Sequence, residues 1–193
     1  QIYRVDGLLK DGLYYSLIAY RWSRGNWYFD LAAVNNKNIR QVKCGGFEDI
    51  DVLEVNDGAG VFAVCTLWEE ADLSQTGITE LEGTFEGCSA LETVKLPENI
   101  SKIGFGTFTG CSSLEKMDLS QTLVTEIVGS AFSACSGLKP VKFPITLTAI
   151  DSYAFLSCKN LPWELDLSQT AVKTIGICAI YKDDGVHGKI RLP

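Results

Sequence analysis

The side chains of this 193-residue chain that could do chemistry are seven cysteines, one histidine and a set of charges that recur in a fixed phase. Cys65, Cys88, Cys111, Cys135 and Cys158 follow one another at intervals of 23 or 24 residues. Thiols at such positions could bridge, bind a metal or attack an electrophile. Their shared phase argues for a simpler role, a column of small buried hydrophobes stacked one per repeat. Neighbouring repeats are close enough for some bridging, and the odd cysteine total leaves at least one thiol without an intrachain partner. A zinc site is not expected, since no Cys-x-x-Cys pair occurs and His187 is remote from the cysteines. His187 lies in the run Asp183-Asp184-Gly185-Val186-His187-Gly188, which has no EF-hand spacing. No Gly-rich phosphate loop ending in Lys-Ser or Lys-Thr is present, and the serines and aspartates are spread by the repeat instead of converging. The expectation is no catalytic residue, no metal and no cofactor.

The charges are more ordered. Asp72, Lys95, Asp118, Lys142, Asp166 and Arg191 each stand one residue before an apolar Leu or Phe, and their sign alternates from repeat to repeat. On stacked strands ~4.8 Å apart, each charge would be flanked above and below by its opposite. Such a ladder would hold register, each neighbouring pair contributing roughly 0.2–1 kcal/mol. The same column could also be a recognition stripe, because solenoids bind partners on extended repeat surfaces. A second outward column, Glu70, Thr93, Lys116, Pro140, Glu164 and Lys189, is more mixed, and Glu80, Lys102 and Glu126 alternate on the opposite wall. Near the start of the chain, Tyr14, Tyr15, Tyr20, Trp22, Trp27, Tyr28 and Phe29 offer either packing over the first repeat or an aromatic binding surface. Of these, Trp22 and Trp27 are the candidate anchors.

The elements that must position these residues follow from the repeat. The run from Phe85 to Glu92 returns from Phe108 to Glu115 and again from Phe132 to Lys139. A period in the twenties marks a solenoid, whose units bury their apolar faces only by stacking. Alternating pairs (Val94 and Leu96, Met117 and Leu119, Val141 and Phe143, Leu165 and Leu167, Ile190 and Leu192) read as one strand per coil with one face buried. A second apolar pair in each coil, such as Ile100 with Ile103 or Val124 with Ile127, forms the opposite wall. Phe85, Phe108, Phe132 and Phe155 should stack, with Ile180 in the last coil, and a tight turn or short helix carries the cysteine. Two sub-patterns alternate, Asp-Leu-Ser-Gln-Thr at 72, 118 and 166 and a basic residue before Leu/Phe-Pro at 95, 142 and 191, so the higher-order unit is a pair of coils.

The predicted fold class is a β-rich repeat solenoid with a parallel sheet of about six coils of 23–25 residues. Residues 1–50 do not obey the repeat. Strand-like runs at 13–20 and 27–34, separated by Ser23-Arg24-Gly25-Asn26, predict an N-terminal β-hairpin cap over the open end of the stack. Residues 51–193 are then the solenoid, and because the chain stops at the phase of an internal proline, its C-terminal end is read as truncated.

Bulk properties narrow the function. A net charge of −7 argues against nucleic-acid binding, which requires a basic face. No apolar run approaches the roughly 20 residues of a membrane-spanning helix. The unit Phe-x-x-Cys-x-x-Leu-x-x-(Val/Met)-x-(Leu/Phe)-Pro, followed by Ile-x-x-Ile-Gly-x-x-x-Phe at 100–108, resembles the BspA-type leucine-rich repeat over residues 62–193, and Asp11-Gly12-Leu13-Tyr14-Tyr15 is loosely similar to the hairpin start of such proteins. The resemblance implies a leucine-rich-repeat solenoid. It also implies a secreted or surface-attached protein of the kind found in Bacteroidetes and in some parasitic protists, several of which adhere to host matrix proteins or to other cells. The expectation that follows is a non-catalytic extracellular module for protein binding or adhesion, exposed after removal of a signal peptide not present in this chain. Its partner would be a protein or glycan of a host or neighbouring cell, recognised on the sheet face or the aromatic cap. The alternative is a structural spacer displaying another domain at the cell surface.

Overall fold

A computed structural model describes residues 66, 68–74, 77–162, 164–181 and 189–193 with their side chains, and several further strands as backbone. Trp22, Cys65, Asp183, Asp184 and His187 lie outside the described residues, as do the side chains of Trp27 and Cys44. The chain is a parallel β-solenoid of about five turns with no helix among the described residues.

Three sheets form two walls of the coil. One has nine strands in the order β1-β2-β3-β5-β7-β9-β10-β11-β13. Its solenoid part consists of two-residue strands, one per coil: β5 (Val52–Leu53), β7 (Glu80–Leu81), β9 (Lys102–Ile103), β10 (Glu126–Ile127), β11 (Ala149–Ile150) and β13 (Thr174–Ile175). All pair in parallel and in register, so Leu81, Ile103, Ile127 and Ile150 form one buried aliphatic column. At its N-terminal end β3 (Trp27–Asp30) joins β5 in parallel and pairs antiparallel with β2 (Tyr14–Arg21), the expected hairpin. A further strand, β1 (Ile2–Leu8), pairs antiparallel with β2 and was not foreseen from the sequence, where the hairpin signal began only at residue 13.

The other wall is less continuous. β4 (Gln41–Phe47), β6 (Glu70–Thr76) and β8 (Thr93–Lys95) form one parallel sheet, and β12 (Glu164–Asp166) with β14 (Lys189–Arg191) forms another. Isolated parallel bridges, Thr93 to Lys116 and Asp118 to Lys142, lie between them.

Between the walls, the Phe-x-x-Cys segment forms turns and no helix. Every second amide of this segment points along the stack. Phe85, Phe108, Phe132 and Phe155 donate N–H bonds of 2.7–2.8 Å to Thr107, Ala131, Ala154 and Ala179 of the next coil. Gly87, Gly110, Ala134 and Ser157 do the same at 2.7–2.8 Å. A third ladder therefore runs up the turn wall. It requires left-handed backbone two residues before and two after each Phe: Gly83, Gly87, Gly106 and Gly110 supply it in two coils, and Ser130, Ala134, Tyr153, Ser157 and Cys178 adopt it without glycine in the later ones.

The core fills the space inside. Phe85, Phe108, Phe132 and Phe155 stack with centroids 5.4, 5.1 and 5.1 Å apart and nearly parallel rings. Phe143 meets Phe155 edge-on at 6.1 Å, and Ile180 takes the Phe position in the last coil. Cys88, Cys111, Cys135 and Cys158 are reduced and buried in one column, while Cys178 is exposed outside it. The thiols also bond. Cys111, Cys135 and Cys158 donate S–H to the carbonyls of Phe85, Phe108 and Phe132 in the preceding coil, at 3.0–3.1 Å. That second role, a weak donor tying coil to coil, gives cysteine an advantage over alanine at this position.

Candidate interaction surface

The Asp-Leu-Ser strands build the charged column from local turn chemistry. Asp118 Oδ1 accepts from the Ser120 amide at 3.0 Å and the Ser120 hydroxyl at 2.6 Å. Asp72 accepts from the Ser74 amide and hydroxyl at 3.1 and 2.7 Å, and Asp166 from the Ser168 amide at 2.9 Å. These are Asx turns, which curl the chain out of the strand directly after the buried leucine. Two of the same coils close with a threonine hydroxyl: Thr122 and Thr170 each donate to the carbonyl three residues back at 2.7 Å.

The second carboxylate oxygen faces the next coil. Asp72 Oδ2 meets Lys95 Nζ at 3.5 Å, Asp118 Oδ2 meets Lys142 Nζ at 2.8 Å, and Asp166 Oδ2 meets the Arg191 guanidinium at 3.8 Å. All six predicted column residues lie on one wall. They are not, however, the uninterrupted ladder that their alternating signs suggest: no ion pair joins Lys95 to Asp118 or Lys142 to Asp166. The backbone agrees, since Leu119 N–H donates to Lys142 O and Leu167 N–H to Arg191 O at 2.8 Å, whereas Leu96 has no such bond to Asp118. The column is three separate pairs.

One reason is geometric: with Oδ1 held by its own Ser turn and Oδ2 turned toward the following coil, Asp118 and Asp166 face away from the preceding Lys95 and Lys142. Titration follows the same contacts. Desolvation raises the Asp72 pKa, but the Ser74 hydrogen bonds and the Lys95 ammonium overcome it and leave the carboxyl below its ordinary value. The Asp118 carboxyl is lowered chiefly by the Lys142 and Ser120 hydrogen bonds, and that of Asp166 chiefly by Ser168. The cations remain open to solvent, with 73%, 71% and 65% of the Lys95, Lys142 and Arg191 side chains exposed.

A further pair, Glu115 with Lys139 at 2.6 Å, joins the same two coils as Asp118 and Lys142. The Lys139 hydrogen bond lowers the Glu115 carboxyl. The reversal from Glu92 and Glu115 to Lys139 at one repeat phase was the signal that could have found it. The mixed column pairs Glu70 with Thr93 and Glu164 with Lys189 across strands. Glu80, Lys102 and Glu126 stand in register on the other wall without forming ion pairs with one another. Among the described residues, no group of three or more His, Cys, Asp or Glu side chains could hold a metal ion.

This architecture, short parallel strands stacked with aliphatic, Phe and Cys columns inside, defines a leucine-rich-repeat solenoid. The sequence profile of the BspA type leucine rich repeat region matches residues 55–182 in six copies, and the chain belongs to that family. It is similar in fold to a leucine-rich repeat protein from Bacteroides ovatus ATCC 8483 (TM-score 0.54, 18% identity, covering 92% of this chain and 52% of that one). A leucine rich cell surface protein from Faecalibacterium prausnitzii A2-165 is similar too, with TM-score 0.55, 19% identity and coverage of 93% and 52%. The chain thus spans about half the length of both solved structures. No curated protein matches it in sequence. No helix among the described residues is long and apolar enough to cross a membrane.

Proposed function

We propose that the chain is a non-catalytic extracellular binding module, presented at a cell surface or secreted, and that it meets a protein partner on the charged wall. The observation that carries this reading is the row of exposed cations, Lys95, Lys142 and Arg191, one on every second coil. Each is held in place by an Asp whose geometry is fixed by its own turn, so the ammonium and guanidinium groups are positioned without being buried. A partner carboxylate at matching spacing could share them, and exposed charges of this kind set orientation and encounter rate more than affinity. The surface-protein relative supports the location. The hairpin of β2 and β3, with the sequence candidates Trp22 and Trp27, would be a second contact region. On this reading residues 1–50 act as the cap and 51–193 as the recognition solenoid.

The spacer reading keeps one specific support: every Asp of the column is already satisfied internally, as a register device would need. Binding to immobilised matrix proteins and to cell-surface extracts separates the two. For a module, the Lys95→Ala, Lys142→Ala, Arg191→Ala triple variant should associate more slowly, with a weaker salt dependence, and with little change in melting temperature. For a spacer, the wild-type chain should bind nothing on the panel.

A further inference from the structure

The turn wall carries a relief that the hydrogen-bond ladder beneath it does not need. Three large side chains project from it, Phe105 at 60% exposed, Tyr153 at 46% and Ile177 at 74%. Phe105 and Ile177 stand three residues before the Phe position of their coils, a phase that holds Glu82, Gly129 and Ser152 in the others. Tyr153 stands two residues before it, where the other coils place Gly83, Gly106, Ser130 and Cys178. Its backbone there is left-handed, φ 62, a strained conformation for a bulky residue and one that glycine supplies at Gly83 and Gly106. Charge near the wall is divided between its ends. Glu82 and Glu86 lie at one end, and Lys159 and Lys173 lie toward the other together with Asp151. The stretches 104–114 and 128–138 between them carry no charge.

We propose that two copies of this chain pack turn wall to turn wall, antiparallel, about a two-fold axis at the coil of Phe132. An isologous contact needs a surface that complements itself when the order of its coils is reversed. Reversal about this coil sets Phe105 against Ser152 of the other copy and Tyr153 against Gly106, large against small each time. Gly129, Ser130 and Ser133 fall on the axis and meet their own counterparts, where a serine hydroxyl, both donor and acceptor, can pair with itself. The Tyr153 ring arrives beside Glu86 of the other copy, whose Oε2 lies 3.9 Å from where a Cβ on Gly106 would stand. The phenol O–H can donate to that carboxylate. The glutamate end of each copy then lies over the lysine end of the other, and Asp151 falls opposite uncharged Gly104. A parallel pairing would instead put Glu82 and Glu86 against themselves. The five coils from Phe85 to Ile180 span only about 20 Å, less than a standard interface requires, so the dimer is weak and concentration-dependent. This surface is apart from the charged wall, so either reading survives the loss of the other.

The test is sedimentation velocity of the purified chain over a concentration series reaching about 1 mM. The wild type should shift from monomer to dimer, and Phe105→Ser and Tyr153→Gly should each raise the dissociation constant by about tenfold or more. Tyr153→Gly should melt at an equal or higher temperature, because glycine relieves the left-handed strain, so association falls while stability does not. The Lys95→Ala, Lys142→Ala, Arg191→Ala triple variant should dimerise like the wild type. Disulfide trapping in air reads the register. Ser130→Cys, a residue type that the same left-handed phase already holds at Cys178, should give dimers linked through position 130. The two Cys178 thiols, four coil steps or about 20 Å apart across the axis, should not link to each other. No dimer, a dimer undiminished in Phe105→Ser and Tyr153→Gly, or linkage through Cys178 in place of position 130 overturns the proposal.

Discussion

The aromatic column inside the solenoid and the charged column outside it share one period, but only the first is continuous. Phe85, Phe108, Phe132 and Phe155 touch at every step, whereas Asp72 with Lys95, Asp118 with Lys142 and Asp166 with Arg191 stop at every second one. Stacked rings are non-directional and have two equivalent faces, so each Phe serves the coil above and the coil below alike. A carboxylate tied to its own Ser turn has one side left, and it faces one way. The aromatic column therefore links every coil to the next, and the charged column links coils in twos.

Breaking the interior should have the largest effect. Phe132→Ala removes a ring that contacts two others, and the expected loss is about 3–5 kcal/mol, measured by urea denaturation. The damage should be similar for Phe108→Ala, because that column shows no doublet boundary.

The thiols beside the rings make a pH-dependent version of the same test. Burial pushes the Cys111 pKa up to about 12, from a model-compound value of 9.0, and Cys135 well above 9.0. The folded state thus keeps protons that the unfolded chain gives up. The thiol contribution is complete below pH 9 and should be lost as pH rises from about 9 to about 12. Cys111→Ala should flatten that alkaline limb while lowering stability at neutral pH. Native thiols of the column should react slowly with a thiol reagent until denaturant is added, with exposed Cys178 reacting at once.

A smaller effect, of opposite sign, is expected on the turn wall. Ala134 sits at φ 59 where Gly87 and Gly110 occupy the equivalent position. Ala134→Gly should raise stability by about 1 kcal/mol, while Gly110→Ala should lower it by a similar amount, both read from thermal melts.

The interior was legible in the sequence because a buried column needs the same residue type at the same phase, and repetition exposes it. Phe, Cys and the paired aliphatics were placed this way, whereas the hairpin of β2 and β3 was read from its aromatic and branched runs and the turn signal between them. The breaks in the charged column were less visible. Alternating sign at residues 72, 95, 118, 142, 166 and 191 describes what stands next to what, but not which way each carboxylate turns. The clue was Asp-x-Ser, a local turn signal read only as part of a repeat. β1 was missed because Ile2–Leu8 has no partner within the repeat and pairs only with the hairpin. The left-handed positions were visible as Gly83, Gly87, Gly106 and Gly110, but Ser130, Ala134 and Tyr153 hid the rest, since hydrogen bonds to neighbouring coils impose that conformation on residues that would not choose it alone.

The smallest expected effect tests the central claim most directly. Two double-mutant cycles to alanine on the charged wall, one for Asp118 with Lys142 and one for Lys95 with Asp118, measure coupling within a doublet and across its boundary by urea denaturation at low salt. The first pair should couple favourably by roughly 0.2–1 kcal/mol, the range for exposed ion pairs, and the coupling should fade as salt is added. The second pair, at the same repeat spacing and with the same two charges, should show a coupling indistinguishable from zero. Equal coupling in both cycles would contradict the account and restore a continuous ladder.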